Sequence, residues 1–431
     1  MLAIRRLVVV GFLICLLGAP TAWGETWPAW RGKSGRGVSS ERGLPTEWSI
    51  DKNLAWQIDV PGRSNASPAV TQNRIYLTSQ TEDKSLWVIA IDRKDGRIVW
   101  KRDVGSGELA AEGAKNLYAH RHNPATSSPV ADDDNVWAFF GTGLLVCLDR
   151  NGETKWKRNL VEQYGAYTIR FGMASSPRLW GELLYIACMT KGPSYVLALR
   201  KTTGEEVWKS DRRFPAKDDG PDSYSSPVVL QTKTRSELIV SGGDHVNAYD
   251  LLTGKQLWVS GGLTIDSPYG RVIASPAVSE QVLVVSSANP PGSGTDHIIA
   301  LRTGGSGDIT QTHRLWDYRP FNPDASTPVC YEGNVYMVRD DGIASCLDLK
   351  TGKLHWRKRL SNGVYRTALV AGDSKVYFLQ REGLLTVIKA GPEGKVLARN
   401  QLPGIFYATP AISQGVLYLH AYGRLYAVAE R

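Results

Sequence analysis

The sequence has no Gly-x-Ser-x-Gly elbow, no His-Glu-x-x-His pair and no phosphate-cradling glycine loop, so the short motifs of common hydrolase and nucleotide sites are missing. Beyond residue 17 no apolar run approaches the roughly twenty residues that a membrane-spanning helix needs. Basic residues do not run together. The formal charge is +9, or +7 once Arg5 and Arg6 of the leader are set aside, and its scatter argues against nucleic-acid binding. Cysteine is scarce, with five in 431 residues. Cys147, Cys188, Cys330 and Cys346 each fall inside an apolar segment, where a thiol behaves as a small core hydrophobe rather than a disulfide partner.

The first two dozen residues read as an export signal. Arg5 and Arg6 supply the charged start, residues 7–17 the apolar stretch, and Ala22-Trp23-Gly24 a small-x-small cleavage site. The mature chain is expected to begin near Glu25 and to be periplasmic or secreted, without a transmembrane anchor. Cys15 follows Ile14 in the middle of the apolar run, which is not a lipid-attachment pattern.

One unit then recurs: a Ser/Thr-Pro step, a β-rich segment, an apolar segment closing on Asp or Arg, a glycine turn and a tryptophan. The step appears at Pro68, Pro129, Pro177, Pro227, Pro276, Pro328 and Pro410, with Thr367-Ala368 as a degenerate copy. The closing tryptophans are Trp100, Trp156, Trp208, Trp258, Trp316 and Trp356, with Leu397 in the degenerate unit. β-Branched, alternating segments at this period exclude a helical solenoid. They predict an all-β fold, an eight-bladed β-propeller of four-stranded antiparallel blades. Proline suits the innermost edge strand, and each tryptophan should bury its ring between neighbouring blades. The eighth unit ends without a tryptophan strand. Ala55-Trp56-Gln57-Ile58-Asp59 has that strand's pattern and should close the last blade from the N-terminal side. The chain therefore divides into a leader (1–24), an irregular strap (25–54) and the propeller (55–431).

Asp250 to Trp258 and Asp348 to Trp356 share an Asp-x-x-Thr-Gly-Lys-x-x-Trp pattern that resembles the tryptophan-docking repeat of pyrroloquinoline quinone (PQQ) dehydrogenases and their noncatalytic relatives. The opening Trp27-Pro28-Ala29-Trp30-Arg31-Gly32 and Gly43-Leu44-Pro45-Thr46-Glu47-Trp48 are similar to exported PQQ-like propellers of planctomycetes and related bacteria. For an enzyme, the resemblance implies PQQ with Ca²⁺ on the propeller axis, a carboxylate base and a disulfide between adjacent cysteines. No two cysteines here are adjacent, and no Glu, Asn and Asp set carries over to the base and metal positions. No catalytic residue and no resident cofactor are therefore expected. Noncatalytic relatives include BamB-like lipoproteins that help insert outer-membrane proteins, which implies an assembly role as an alternative.

A ligand site is expected where the connections leading into each Ser/Thr-Pro step converge on one face. Those connections carry Tyr167, Arg170, Tyr224, Tyr269, Arg271, Tyr365, Arg366 and Tyr407, with Arg63 and Asn65 before the first step. Aromatic faces interleaved with guanidinium groups suit a planar, anionic or sugar-like ligand or a peptide, while the same residues could instead plug the channel. The reading is a monomeric binding or scaffold propeller of the cell envelope whose partner is an envelope protein, a peptide or a glycan; PQQ-dependent oxidation of alcohols or sugars is the other class. His120-x-His122 supplies too few ligands for a metal site, and Asp218, Asp219 and Asp222 read as a solvated acidic turn, so no metal is expected.

Overall fold

The computed structural model describes residues 24–109, 121–232, 235–288, 297–319 and 322–430. Most of the leader and His120 lie outside them. Among the described residues eight β-sheets follow one another around a ring. The first blade shows the plan, with a short inner strand (Ala69–Val70), two longer strands (Arg74–Gln80 and Ser85–Asp92) and an outer strand (Ile98–Ser106), each antiparallel to the last. The middle strands are buried on both faces, which explains why they read as near-continuous apolar runs. All four cysteines of the repeats are buried and unpaired.

The last blade is closed by Leu54–Asp59, which pairs antiparallel with Arg424–Ala429 as its outer strand. The fourth blade departs from four strands. Gly307–Asp308, from the fifth blade, adds a short parallel strand to Gln256–Ser260, with Trp258 opposite Gly307.

The tryptophans join blade to blade by one repeated contact. The indole N–H of Trp208 donates to the Leu251 carbonyl in the next blade's turn at 3.0 Å. Trp56, Trp100, Trp156, Trp316 and Trp356 make the equivalent bond at 2.9–3.3 Å. The ring lies on the turn glycine that follows. A Cβ at Gly254, whose φ is +68°, would meet Trp208 at 2.4 Å, so the turn needs glycine for both conformation and space. Two positions break the pattern for visible reasons. Trp258 donates instead to buried Glu237 at 2.9 Å, because the added strand occupies its outer side. Leu397 replaces tryptophan where the next blade has no such turn, its outer strand coming from the other end of the chain.

Nearer the axis, the Ser/Thr of each Ser/Thr-Pro step has a role that proline alone does not explain. The amide of Ser67 donates to the hydroxyl of Ser128 at 2.9 Å, Ser128 to Ser176 at 3.0 Å, Ser176 to Ser226 at 2.9 Å, Ser226 to Ser275 at 2.8 Å and Ser275 to Thr327 at 3.0 Å. Ala368 then donates to Thr409 at 3.2 Å, and Thr409 back to Ser67 at 2.9 Å. Seven inter-blade seams are thus laced in one direction. The eighth, from Thr327 to Ala368, has no hydroxyl to receive the amide.

Residues 24–53 cross the channel at the ends of the inner strands away from the connections. They bond through backbone to Val70, Ala131, Val229 and Ala371, in blades one, two, four and seven. Arg178 reaches from the third blade to the carbonyls of Trp30 and Gly32 at 2.8 and 2.6 Å, and Arg31 to that of Pro328 at 2.6 Å. Burial lowers both guanidinium pKa values to about 9. Glu41 accepts the backbone N–H groups of Gln414 and Gly415, clamping the strap to the last blade.

Candidate functional site

With its floor formed by the strap, the channel is a blind cup of about 720 Å³, open on the side where the connections converge. Trp30 lines it from below and donates its indole N–H to Thr409 at 3.3 Å. Six of the expected aromatic and arginine residues come together in its wall, Arg170, Tyr224, Tyr269, Arg271, Arg366 and Tyr407, and Asn65 joins them. Tyr167 and Tyr365 do not. Tyr167 turns into the core between the second and third blades, its hydroxyl 3.5 Å from Cys188 Sγ. Tyr365 is fully buried, with its hydroxyl 3.1 Å from Ser361. In both cases a ring within a connection packs into the apolar core beside it, which the spacing of aromatics cannot distinguish from exposure at the mouth.

On one side of the cup the Arg170 guanidinium bonds to Asp219 at 2.7 Å and lies 5.7 Å from the ring centroids of Phe171 and Tyr269. Arg271 approaches the Phe171 ring at 5.4 Å, and Tyr224 meets that ring edge-on at 5.9 Å. The Tyr224 hydroxyl accepts the Phe171 N–H at 3.3 Å. Asp222 accepts the backbone N–H groups of Arg170 and Lys191 at 2.9 and 3.1 Å; burial nevertheless raises its pKa to about 6. Asp219 and Asp222 are thus buried supports of the wall rather than members of a solvated turn.

Across the cup Arg366 pairs with Asp340 at 2.8 Å and stands 4.0 Å from Asp324, which also faces Arg271 at 4.0 Å. Burial, then the neighbouring Asp324 carboxylate, lifts the Asp340 pKa to about 6. Tyr407 packs tilted against Tyr422 at 5.6 Å, and Tyr422 also receives the Arg63 guanidinium at 4.9 Å and donates its hydroxyl to Asn65. Phe171 fits the aromatic-plus-arginine pattern beside Arg170 but was not among the expected residues, while Trp30, Asp324, Asp340 and Tyr422 lie outside that pattern of the connections. The carboxylates would have been found by asking which acids on neighbouring connections must neutralise the buried arginines.

An eight-bladed ring with tryptophan-docked seams and an axial cup defines the PQQ-like propeller class. The family model described as "Outer membrane protein assembly factor BamB" matches residues 37–190, 180–374 and 340–430, and the chain belongs to that family. A BamB of Burkholderia pseudomallei (strain K96243) is 24% identical over 372 residues, 81% of this chain and 82% of that protein. The crystal structure of BamB from Moraxella catarrhalis superposes with a TM-score of 0.62 at 14% identity, over 88% of this chain and 97% of that one. A europium-containing methanol dehydrogenase superposes with a TM-score of 0.69 at 12% identity, over 93% and 90%. At these identities the two solved structures establish the shared fold.

The quinone and calcium of the dehydrogenase branch can be tested against the donor set. Among the described residues no three His, Cys, Asp or Glu side chains gather as a metal centre requires. Asp219 and Asp324, the carboxylates that line the cup, already face arginines. The residues present do not fit a hard divalent cation, which wants several oxygens unopposed by positive charge.

Proposed function

We propose that this protein is an exported binding propeller of the cell envelope, periplasmic or secreted, that captures its ligand in the axial cup without converting it. One observation carries the reading: six side chains from five connections converge on a cup of about 720 Å³, within the range of small-ligand pockets. Supporting it, charged groups around the cup pair with one another, Arg170 with Asp219 and Arg366 with Asp340. Among the described residues no helix is long and apolar enough to cross a membrane. The test is a thermal-shift and calorimetric panel of glycans, peptides and PQQ with Ca²⁺, run on the native protein and on an Arg170→Gln/Arg366→Gln variant. Binding lost in the variant, without dye-linked oxidation of alcohols or aldoses, is the expected outcome; dye reduction with PQQ would make the protein a dehydrogenase.

A second reading, assistance in outer-membrane protein assembly, is favoured by the family and by the relative from Burkholderia pseudomallei, whose name states that role. Mild crosslinking in envelopes, followed by capture of this chain, checks it. If no outer-membrane assembly protein is recovered, that reading falls.

A further inference from the structure

The strap starts at the seam where the ring closes, between the last blade and the first. Trp27 exchanges two backbone hydrogen bonds with Val70 of the first blade, both at 2.8 Å, and the Glu25 carbonyl accepts the Ser413 hydroxyl of the last blade at 2.6 Å. Across the same seam Gln414 donates its side-chain amide to Gln72 at 2.6 Å. The Glu25 carboxylate accepts the Ser39 hydroxyl at 2.8 Å and the Ser40 N–H at 2.9 Å, so the residue is fixed at its carbonyl and at its side chain. Its backbone nitrogen is fixed as well.

That nitrogen donates to Glu41 Oε1 at 2.9 Å. The same carboxylate accepts the N–H groups of Gln414 and Gly415, each at 2.6 Å, and makes no ion pair with a lysine or arginine among the described residues. A carboxylate held by three backbone N–H groups and no cation gains most if one of those nitrogens becomes charged. Gln414 and Gly415 cannot, because they lie inside the turn between Ala411–Ser413 and Val416–Ala421. Glu25 can, because it directly follows Ala22-Trp23-Gly24, the small-x-small pattern of a leader cleavage site. Hydrolysis of the Gly24–Glu25 bond adds the oxygen of one water to Gly24, as a carboxylate, and both its hydrogens to the Glu25 nitrogen. A free α-amino group has a reference pKa of about 7.7–8.0, so the product is mainly an ammonium at neutral pH.

Resting on the reading that the chain is exported, we propose that cleavage between Gly24 and Glu25 is also a structural step: it sets an α-ammonium on Glu41, and this ion pair latches the closing seam in the processed protein alone. Before cleavage the contact is a neutral amide donating to a carboxylate. Afterwards both partners are charged, and the bond is strengthened accordingly. Cleavage gives up the contact of the Gly24 carbonyl with the Gln72 side-chain amide at 3.1 Å, a bond between neutral groups. Because Glu41 joins the start of the strap to the turn of the last blade, the latch also steadies the floor of the cup.

Two measurements test it. N-terminal sequencing of the protein recovered from cell envelopes should read Glu25 first; an intact leader would overturn the export reading and the latch together, and a different first residue the latch alone. Hydrogen exchange read by mass spectrometry then follows the amides of Gln414 and Gly415 in three purified chains: one beginning at Glu25, one beginning at Ala22, and one beginning at an N-acetylated Glu25. The free Glu25 chain should protect that turn about tenfold more than either of the others, as expected for a hydrogen bond that gains a charge. Glu41→Gln should erase the difference by exposing the turn more in the free Glu25 chain than in the other two. Equal protection in the three chains, or an equal loss on Glu41→Gln in all of them, would overturn the latch while leaving the cleavage site and the export reading in place. Full protection retained by the acetylated chain would overturn it too, since charge would then not be the cause.

Discussion

The rim and the mouth of this ring follow opposite rules. At the rim, six tryptophans repeat one contact, a ring laid on a glycine and an indole N–H given to a neighbouring carbonyl. At the mouth nothing repeats. Arg170 finds an aspartate and two aromatic rings, Arg366 a buried carboxyl, and Tyr407 another tyrosine. Repetition marks what holds the blades together, and its absence marks the surface where each connection carries its own side chains.

The sharpest way to break that contrast is to exchange the expected costs. Trp208→Ala empties a seam and should lower unfolding free energy by about 3–5 kcal/mol in urea titrations. Tyr269→Ala, at a half-exposed position of the mouth, should cost under about 1 kcal/mol while removing a wall of the cup. Equal losses would mean that the mouth is a structural plug.

Acidity sharpens the comparison at intermediate size. Asp340 has a pKa of about 6 when folded against an ordinary 3.8, so the folded state binds its proton more tightly. Its contribution is fully present below about pH 4 and is withdrawn as pH rises through 6. Asp222 behaves in the same sense. His420, kept neutral by burial with a pKa of about 4 against 6.5, works the other way, adding stability as pH rises across that interval. Relative to Asp340→Asn, the native protein should therefore lose about 2 kcal/mol between pH 4 and 7 in denaturant titrations. A constant difference across that range would show that Asp340 titrates normally.

The smallest effect tests the hydroxyl lacing. Ala368→Ser offers an acceptor to the unlaced amide of Thr327 and should raise stability by up to about 1 kcal/mol, read as a higher melting temperature. Ser128→Ala should lower it by a similar amount. Opposite signs at equivalent positions would confirm the ring as a stabilising device; a loss in both would dismiss it.

The blades were legible because their signals are local: a proline, a glycine turn and a tryptophan at fixed order each have one physical use in this fold. Even Trp56 identified itself as the closing strand by carrying the same pattern at the wrong end of the chain. The cup was half legible. Position in the connections predicted convergence, and six residues do converge, yet Tyr167 and Tyr365 follow the same pattern and serve the core. Whether a loop tyrosine turns outward or inward depends on partners in the next blade, such as Cys188, 21 residues from Tyr167. The facing of Arg271 and Asp324 is likewise set by ring geometry, since they are 53 residues apart in sequence.

The closure of the last blade also sets an order of events. Leu54–Asp59 is among the first segments of the propeller to be made, but its partner Arg424–Ala429 is the last strand of the chain. Seven blades can assemble from residues already present, while the ring cannot close until Arg424–Ala429 has been made. A chain that stops short of Arg424 leaves an early strand without its ladder and two open edges, a defect exposed to any protease that samples unpaired strands.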